Sequence, residues 1–199
     1  SNFFKKGQVI FYEDNYPHGV YCIHKGKVKI SKLGDEGKEQ IVRFGGTGEL
    51  LGYRSVLNNE AYTATATAME DCYICHLSFE DFHKVLNQSN SLSLEVIQLL
   101  SSDLKSSEQK LINISQKPVR ERIAETLLYI KSKFGFEEDG KTLAVTLTRM
   151  EIGDIAGTTT ETTIRTLSAL KKEKIVDLIG RKIVIIDLKK LIRASNIVD

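Results

Sequence analysis

Short apolar runs broken at close intervals by turn residues fill the N-terminal part of the chain. Val9-Ile10-Phe11, Gly19 to His24, Lys27 to Ser31 and Glu39 to Phe44 are β-rich. Glu13-Asp14-Asn15, Lys25-Gly26, Gly34-Asp35-Glu36-Gly37 and Gly45-Gly46 punctuate them with turn signals. From Tyr62 to Ala68 threonine and alanine alternate, the period of a half-buried strand. Residues 1 to about 86 therefore read as strand throughout, and many short strands at close spacing predict a sandwich or jelly roll. Phe79 to Leu86 reads as a short helix leading out of it.

The period then changes to that of a helix. From about Ser91 to Ser115, Ile97, Leu100, Leu104, Ser107, Leu111 and Ile114 step by 3, 4, 3, 4, 3, the a/d seam of a coiled coil with one polar break at Ser107. Lys117-Pro118 ends this helix, because proline disfavours helix in the residue before it. Val119 to Phe134 follows as a new helix with Ile123, Leu127, Leu128 and Ile130 on its apolar side, and Lys141 to Leu147 reads as a strand. Near the end, Ile175 to Ile179 and Lys182 to Asp187 read as a hairpin joined across Gly180-Arg181, and Leu188 to Ser195 as a short basic helix.

Between them, Thr148 to Lys172 reads as two helices around a tight turn. Thr148 with Glu151 has capping-box spacing, and Ile152, Ile155 and Ala156 give the first helix an apolar side. Gly157 stands where a helix ends in a left-handed residue. Thr158 to Thr160 supply N-cap candidates, and Thr158 with Glu161 repeats the capping-box spacing. On the second helix Thr163, Ile164, Leu167 and Leu170 fall on one side; Glu161, Thr162, Arg165, Ala169 and Lys172 fall on the other. That second face suits a DNA major groove, where arginine pairs with guanine and glutamate accepts from cytosine. An ordinary surface helix with an i, i+4 pair between Glu161 and Arg165 gives the same pattern.

Charge sharpens the choice through its distribution. The net charge is only +2, but residues 165–193 hold nine Lys/Arg against three Asp/Glu, whereas residues 1–117 hold thirteen against fourteen. A basic C-terminal region beside a neutral N-terminal one suits phosphate contacts at one end. With 199 residues the chain has room for two modest domains, and it contains no run of eighteen apolar residues and no signal peptide at its start, so the cytoplasm is expected. The first residues enter a strand almost at once, as expected where an upstream segment precedes them. Three cysteines argue against a disulfide framework, and four would be wanted for an iron–sulfur cluster. Cys72 and Cys75, three apart on a strand, point to opposite faces and read as buried structural thiols. His18, His24, His76 and His83 form no H-x-H pair, which disfavours a metal-dependent jelly-roll enzyme, and no metal site is expected.

Thr148-Arg149-x-Glu151-Ile152-Gly153-x-Ile155-x-Gly157 followed by Glu161-Thr162-x-x-Arg165 resembles the helix-turn-helix of the cyclic-AMP receptor and fumarate-nitrate regulator (CRP/FNR) family. The resemblance covers nearly the whole chain in order, and Gly19 to Ile30 is similar to the second hairpin of the family's β-roll. It implies an α+β fold. Residues 1–87 would form a β-roll (jelly-roll, cyclic-nucleotide-binding-like) effector domain, 88–117 a dimerisation helix and 118–199 a winged helix-turn-helix. The implied function is a homodimeric transcription regulator, not an enzyme, that reads an inverted repeat in double-stranded DNA and works with RNA polymerase. The family's base readers match Glu161 and Arg165, with Thr160 and Thr162 beside them; Thr160 stands where the family varies, so the half-site is open. Its backbone-contacting arginine matches Arg149, and Thr148, Thr159, Lys172, Arg181 and Lys182 are expected on phosphates.

In the same alignment Gly48-Glu49-x-x-Gly52 meets the glycines that precede the family's nucleotide signature. Tyr53 then stands where the ribose-binding glutamate belongs, and Tyr62-Thr63-Ala64 where the phosphate-binding arginine, serine or threonine, and alanine belong. Both charged contacts are missing, which argues against cyclic AMP. Another small effector, unidentified, would meet Gly52, Tyr53, Arg54, Ser55, Tyr62 and Thr63; the alternative is a roll filled by its own side chains. Ser107 aligns with a threonine that touches ligand from the dimer helix, so it either couples cavity to helix or is a tolerated small residue. The competing function is a ligand-binding β-roll module acting through protein contacts, which leaves the winged helix without a role. No cofactor is identified.

Overall fold

The computed structural model describes residues 1–34 and 39–196, so the turn expected at Gly34 to Gly37 lies outside the described residues from Asp35 onward. The chain divides into two compact units, Ser1–Ser107 and Glu108–Asp199.

The first unit runs through β1 (Asn2–Phe4), β2 (Val9–Phe11), β3 (Gly19–Lys25), β4 (Val28–Leu33), β5 (Glu39–Gly45) and β6 (Leu50–Leu51). The helix α1 (Tyr53–Asn58) follows, then β7 (Thr65–Ala68) and β8 (Cys72–Ser78), and the chain leaves by α2 (Phe79–Gln88) and the long α3 (Asn90–Gln116). The strands make two antiparallel four-stranded sheets, ordered β1-β8-β3-β6 and β2-β7-β4-β5. Both contribute inward residues to one core, including Ile23 and Ile74 from the first and Val28, Ile30 and Ala66 from the second. Each fully buried aliphatic side chain contributes about 1.5–3 kcal/mol. The alanines of the Thr/Ala run, Ala64, Ala66 and Ala68, are the inward residues, and Phe11 stacks on Tyr62 with ring centroids 4.0 Å apart.

Two expectations for this unit need correction. The ladder of β7 starts at Thr65, because Tyr62 exchanges backbone hydrogen bonds with Asp14 and Asn15 in the preceding turn instead. Residues 53–58 form a helix, not strand: Tyr53 and Val56, three apart, bury together with Val20, Phe82 and Val96, and Asn59 stops the helix in a left-handed conformation. A single turn and a half is too short to show a period.

Val96, with Leu99 and Leu100 half-buried beside it, seats α3 on that same cluster. The expected seam lies mostly on the other side. Ile97, Leu104 and Leu111 are 59–70 % exposed, Leu94 continues the line, and Ile114 is 44 % exposed. No helix among the described residues is long and apolar enough to cross a membrane.

The second unit takes up the end of α3 and continues with α4 (Val119–Phe134), α5 (Arg149–Ala156), α6 (Thr160–Lys172), the hairpin β9 (Val176–Ile179) and β10 (Lys182–Ile185), and α7 (Leu188–Ser195). Ile123, Leu127 and Ile130 of α4, Ile152 of α5 and Leu167 and Leu170 of α6 are fully buried, while Leu128 is half-buried. Lys141 to Leu147 is not a strand. Only Thr142 and Leu143 make isolated bridges, after which Ala144 bonds back to Gly135 and the segment leaves the sheet.

Candidate functional site: nucleic-acid interface and ligand cavity

The turn between α5 and α6 is built from backbone bonds. Thr148 and Glu151 form the expected capping box. At the other end of α5, Gly157 sits at φ +64°, its N–H bonds Asp154 O, and the N–H of Thr158 bonds Gly153 O at 2.9 Å. Thr158 is thereby used to finish α5, so the N-cap of α6 is Thr159, whose hydroxyl accepts from Thr162 N; the expected Thr158–Glu161 box does not form. Gly153 lets α6 come close, since a Cβ there would stand 2.7 Å from Thr163 Oγ1.

On α6, Thr163, Leu167 and Leu170 are buried as expected, but Ile164 is 48 % exposed, at the flank of the buried stripe. Glu161, Arg165 and Lys172 face solvent, and Thr160 is half-buried at the first helical position. Arg165 donates from Nη2 to Thr162 Oγ1 at 3.2 Å, and Thr159 donates to the same oxygen at 3.0 Å. This holds the guanidinium toward the N-terminal end of the helix. Among the described residues no ion pair joins Arg165 to Glu161 or to any other carboxylate.

The expected phosphate contacts divide into committed and open groups. Both the N–H and the hydroxyl of Thr148 already donate to Glu151 Oε2. Arg149 reaches across to the hairpin turn, donating from Nη2 to Gly180 O at 3.0 Å, and its buried Nη1 finds no partner among the described residues. Burial draws the pKa of this guanidinium down from its ordinary value. Lys182 is tied to Glu137 at 2.8 Å. Lys172 and Arg181 are exposed and make no ion pair among the described residues.

Arg122 of α4 is the residue that sequence reasoning missed. It donates from Nε to Ala156 O (2.8 Å), from Nη2 to Gly157 O (3.0 Å), and from Nη1 to Lys117 O (2.8 Å) and Ile114 O (3.3 Å). One guanidinium gathers the carbonyls at the C-terminal ends of α3 and α5, where the helix dipoles concentrate negative charge. Ile114, expected in the seam, also packs here: a Cβ on Gly157 would lie 3.2 Å from its Cγ1. No local pattern marks Arg122, because its acceptors are backbone carbonyls, and those of Ala156 and Gly157 lie far along the chain.

In the first unit, Gly52, Tyr53, Arg54, Ser55, Tyr62 and Thr63 do line one solvent-open cavity, together with Phe11, Ile30, Arg43 and Leu51. Several of these groups are already occupied. Tyr53 turns its hydroxyl to the Asp103 carboxylate on α3, and Arg54 Nη2 lies 3.4 Å from the same carboxylate. Burial first, and then the bond to Asp103, push the Tyr53 phenol up to about 12. Tyr62 donates to Gly19 O at 3.1 Å and Ser55 to Ala61 O at 3.1 Å. Ser107 does not line the cavity; its hydroxyl donates to Asp103 O within its own helix, and Asp103 is the α3 residue that meets the cavity wall. The cysteines need correction too: Cys72 is buried, but Cys75 is exposed and stands directly across the ladder from half-buried Cys22. No group of three or more His, Cys, Asp or Glu among the described residues could hold a metal ion.

Comparison with known proteins bears on both units. A cyclic nucleotide-binding domain model matches residues 1–89, and a Crp-like helix-turn-helix domain model matches residues 121–194. The anaerobic regulatory protein of Pasteurella multocida is 27% identical over 195 residues, covering 96% of this chain and 70% of its own length. The fumarate and nitrate reduction regulatory protein of Vibrio cholerae is 26% identical over 196 residues, covering 97% and 77%. The structure of FixK2 from Bradyrhizobium japonicum superposes with a TM-score of 0.86 at 24% sequence identity, over 100% of this chain and 98% of that one. With both domain models matched in order, regulators aligned along nearly its whole length and their fold shared, this chain belongs to the CRP/FNR family of DNA-binding transcription regulators, which are not enzymes.

Proposed function

We propose that the chain acts as a homodimer reading a short inverted repeat in double-stranded DNA, controlled by a small-molecule effector other than cyclic AMP. The observation that carries this is the outward face of α6, where Glu161, Arg165 and Lys172 are exposed and no ion pair among the described residues neutralises Arg165. A planar arginine fork matches guanine O6 and N7, and a free carboxylate accepts from cytosine N4. Thr160 and Thr162 extend the base-reading set, while Arg149, Thr159, Lys172, Arg181 and Lys182 serve the phosphates. Thr148 acts there only through the cap it builds.

The exposed line Leu94, Ile97, Leu104 and Leu111 supports the dimer, because so regular an apolar stripe on a helix is buried best against its own copy. Paired helices would set two copies of α6 about 34 Å apart, one turn of DNA. Tyr53 and Tyr62 support an effector other than cyclic AMP: neither replaces the charge that the family's nucleotide binders supply, and both hydroxyls are already bonded, Tyr53 to Asp103 of α3 and Tyr62 to Gly19 O. Family membership implies the cytoplasm as the workplace and RNA polymerase as the further partner.

Sedimentation equilibrium on the full chain and on Leu104→Glu tests the dimer. The wild type should sediment as a dimer, and the variant as a monomer with inverted-repeat affinity reduced by about two orders of magnitude or more, since the second half-site contributes through linkage. A wild type that stays monomeric at micromolar concentration and binds the repeat equally well would overturn the proposal.

A further inference from the structure

The cavity of the roll holds a positive charge that the fold does not use. Arg43 lies on β5, opposite Ile30 of β4. The register slips there, because Ser31 pairs with Ile41 and Val42 is left over. This β-bulge is a device that re-aims a side chain. Without it Arg43 would share the face of Ile41; with it, Arg43 sits across from inward-facing Ile30, and both line the cavity. Its Nε is buried, and among the described residues its guanidinium makes neither a hydrogen bond nor an ion pair. A buried donor without an acceptor is costly in any fold, and rare.

We propose that this cavity is an anion site in which Arg43 holds the carboxylate or phosphate of a small, otherwise apolar ligand. The proposal rests on the effector-controlled reading above and names the chemical class of the effector. Arg43 and Arg54 supply two positive charges to the cavity, and Asp103 answers only one, at Arg54. Ser55 and Tyr62 donate to carbonyls and Tyr53 to Asp103, whereas the exposed hydroxyl of Thr63 has no partner among the described residues. Phe11, Ile30 and Leu51 form the apolar wall against which the body of the ligand would rest. A guanidinium presents a planar fork suited to two oxygens of one anionic group, and low surrounding dielectric strengthens the pair.

The test follows the arginine Nε–H signals of the full chain by 15N-edited NMR, titrating sodium phosphate, sodium benzoate and neutral benzyl alcohol at fixed ionic strength. The signal that disappears in Arg43→Met should shift saturably with at least one of the two anions and not with benzyl alcohol. Whichever anion saturates at the lower concentration identifies carboxylate or phosphate. That anion should raise the Tm of the wild type, raise it less in Arg43→Lys, and leave Arg43→Met unmoved. No saturable shift with either anion, an equal shift of every arginine signal, or equal stabilisation of Arg43→Met would each overturn the anion site. Affinity for the inverted repeat is measured alongside, with and without the saturating anion. A bound anion that leaves this affinity unchanged overturns the effector role alone, whereas a repeat that is never preferred overturns the DNA reading and leaves the anion site standing.

Discussion

The outer face of α6 and the cavity of the roll are both rich in groups that can hydrogen-bond, and they differ in how many of those bonds are already made. Among the described residues the carboxylate of Glu161 on α6 has no partner, and Arg165 bonds only the neutral Thr162 hydroxyl. In the cavity Tyr53, Ser55, Tyr62 and Arg54 are each tied to a partner within the first unit, and Arg43 with Thr63 remain unpartnered among the described residues. A surface that reads many different bases gains from keeping its readers unbonded until DNA arrives. A cavity that must reject most metabolites gains from leaving few groups open, since each uncommitted group widens the range of ligands accepted.

Substitutions on the two surfaces should therefore behave differently. The largest effect is expected beneath the outer face of α6. Leu167→Ala empties a fully buried site and should cost about 2–5 kcal/mol in denaturant unfolding of the second unit. A cost below about 1 kcal/mol would mean that α6 is held by something other than its buried stripe. Next, Arg165→Ala should lose about 1–3 kcal/mol of affinity on the selected repeat and little on random duplex. Equal losses on both would reduce Arg165 to a phosphate contact. Smaller again, Arg181→Ala should weaken both duplexes alike and lower the slope of log affinity against log salt by about 1. Lys182→Ala should do less, because Lys182 already has Glu137 beside it; the reverse order would show that the ion pair opens on binding.

The smallest effect belongs to the cavity. The folded pKa of Tyr53, about 12, lies above its ordinary 10.0, so the neutral phenol stabilises the fold fully below pH 10 and this contribution is lost as pH rises toward 12. Thermal melts should show that loss in the wild type, and Tyr53→Phe should flatten it. An unchanged alkaline slope in Tyr53→Phe would move the titrating group elsewhere.

The α5–α6 pair was legible from the sequence because its grammar is local. Thr148 with Glu151, Gly157 and the stripe Thr163, Leu167, Leu170 act within a few residues of one another, and the structure contains each. Thr158 to Thr160 all offer an N-cap for the same reason: capping frames overlap over adjacent threonines, and the bond from Thr158 N to Gly153 O leaves the cap to Thr159. The cavity was legible in outline, since the aligned positions from Gly52 to Ser55 and at Tyr62 and Thr63 do meet around it. Its charge was not. Arg43 reaches the cavity through a bulge, which no periodicity shows, and Asp103 and Arg122 act on partners distant in sequence.

Sequence reading by the α6 pair is tested by selection from a random duplex library with the purified full chain at moderate salt, followed by sequencing of the bound pool. An enriched inverted repeat is expected, its half-sites centred about 10–10.5 base pairs apart and the preference carried by G and C positions that Arg165→Ala and Glu161→Ala relax. A bound pool indistinguishable from the input, with binding that varies only with salt, would contradict sequence reading by α6. An enriched single half-site without its inverted partner would contradict the dimer.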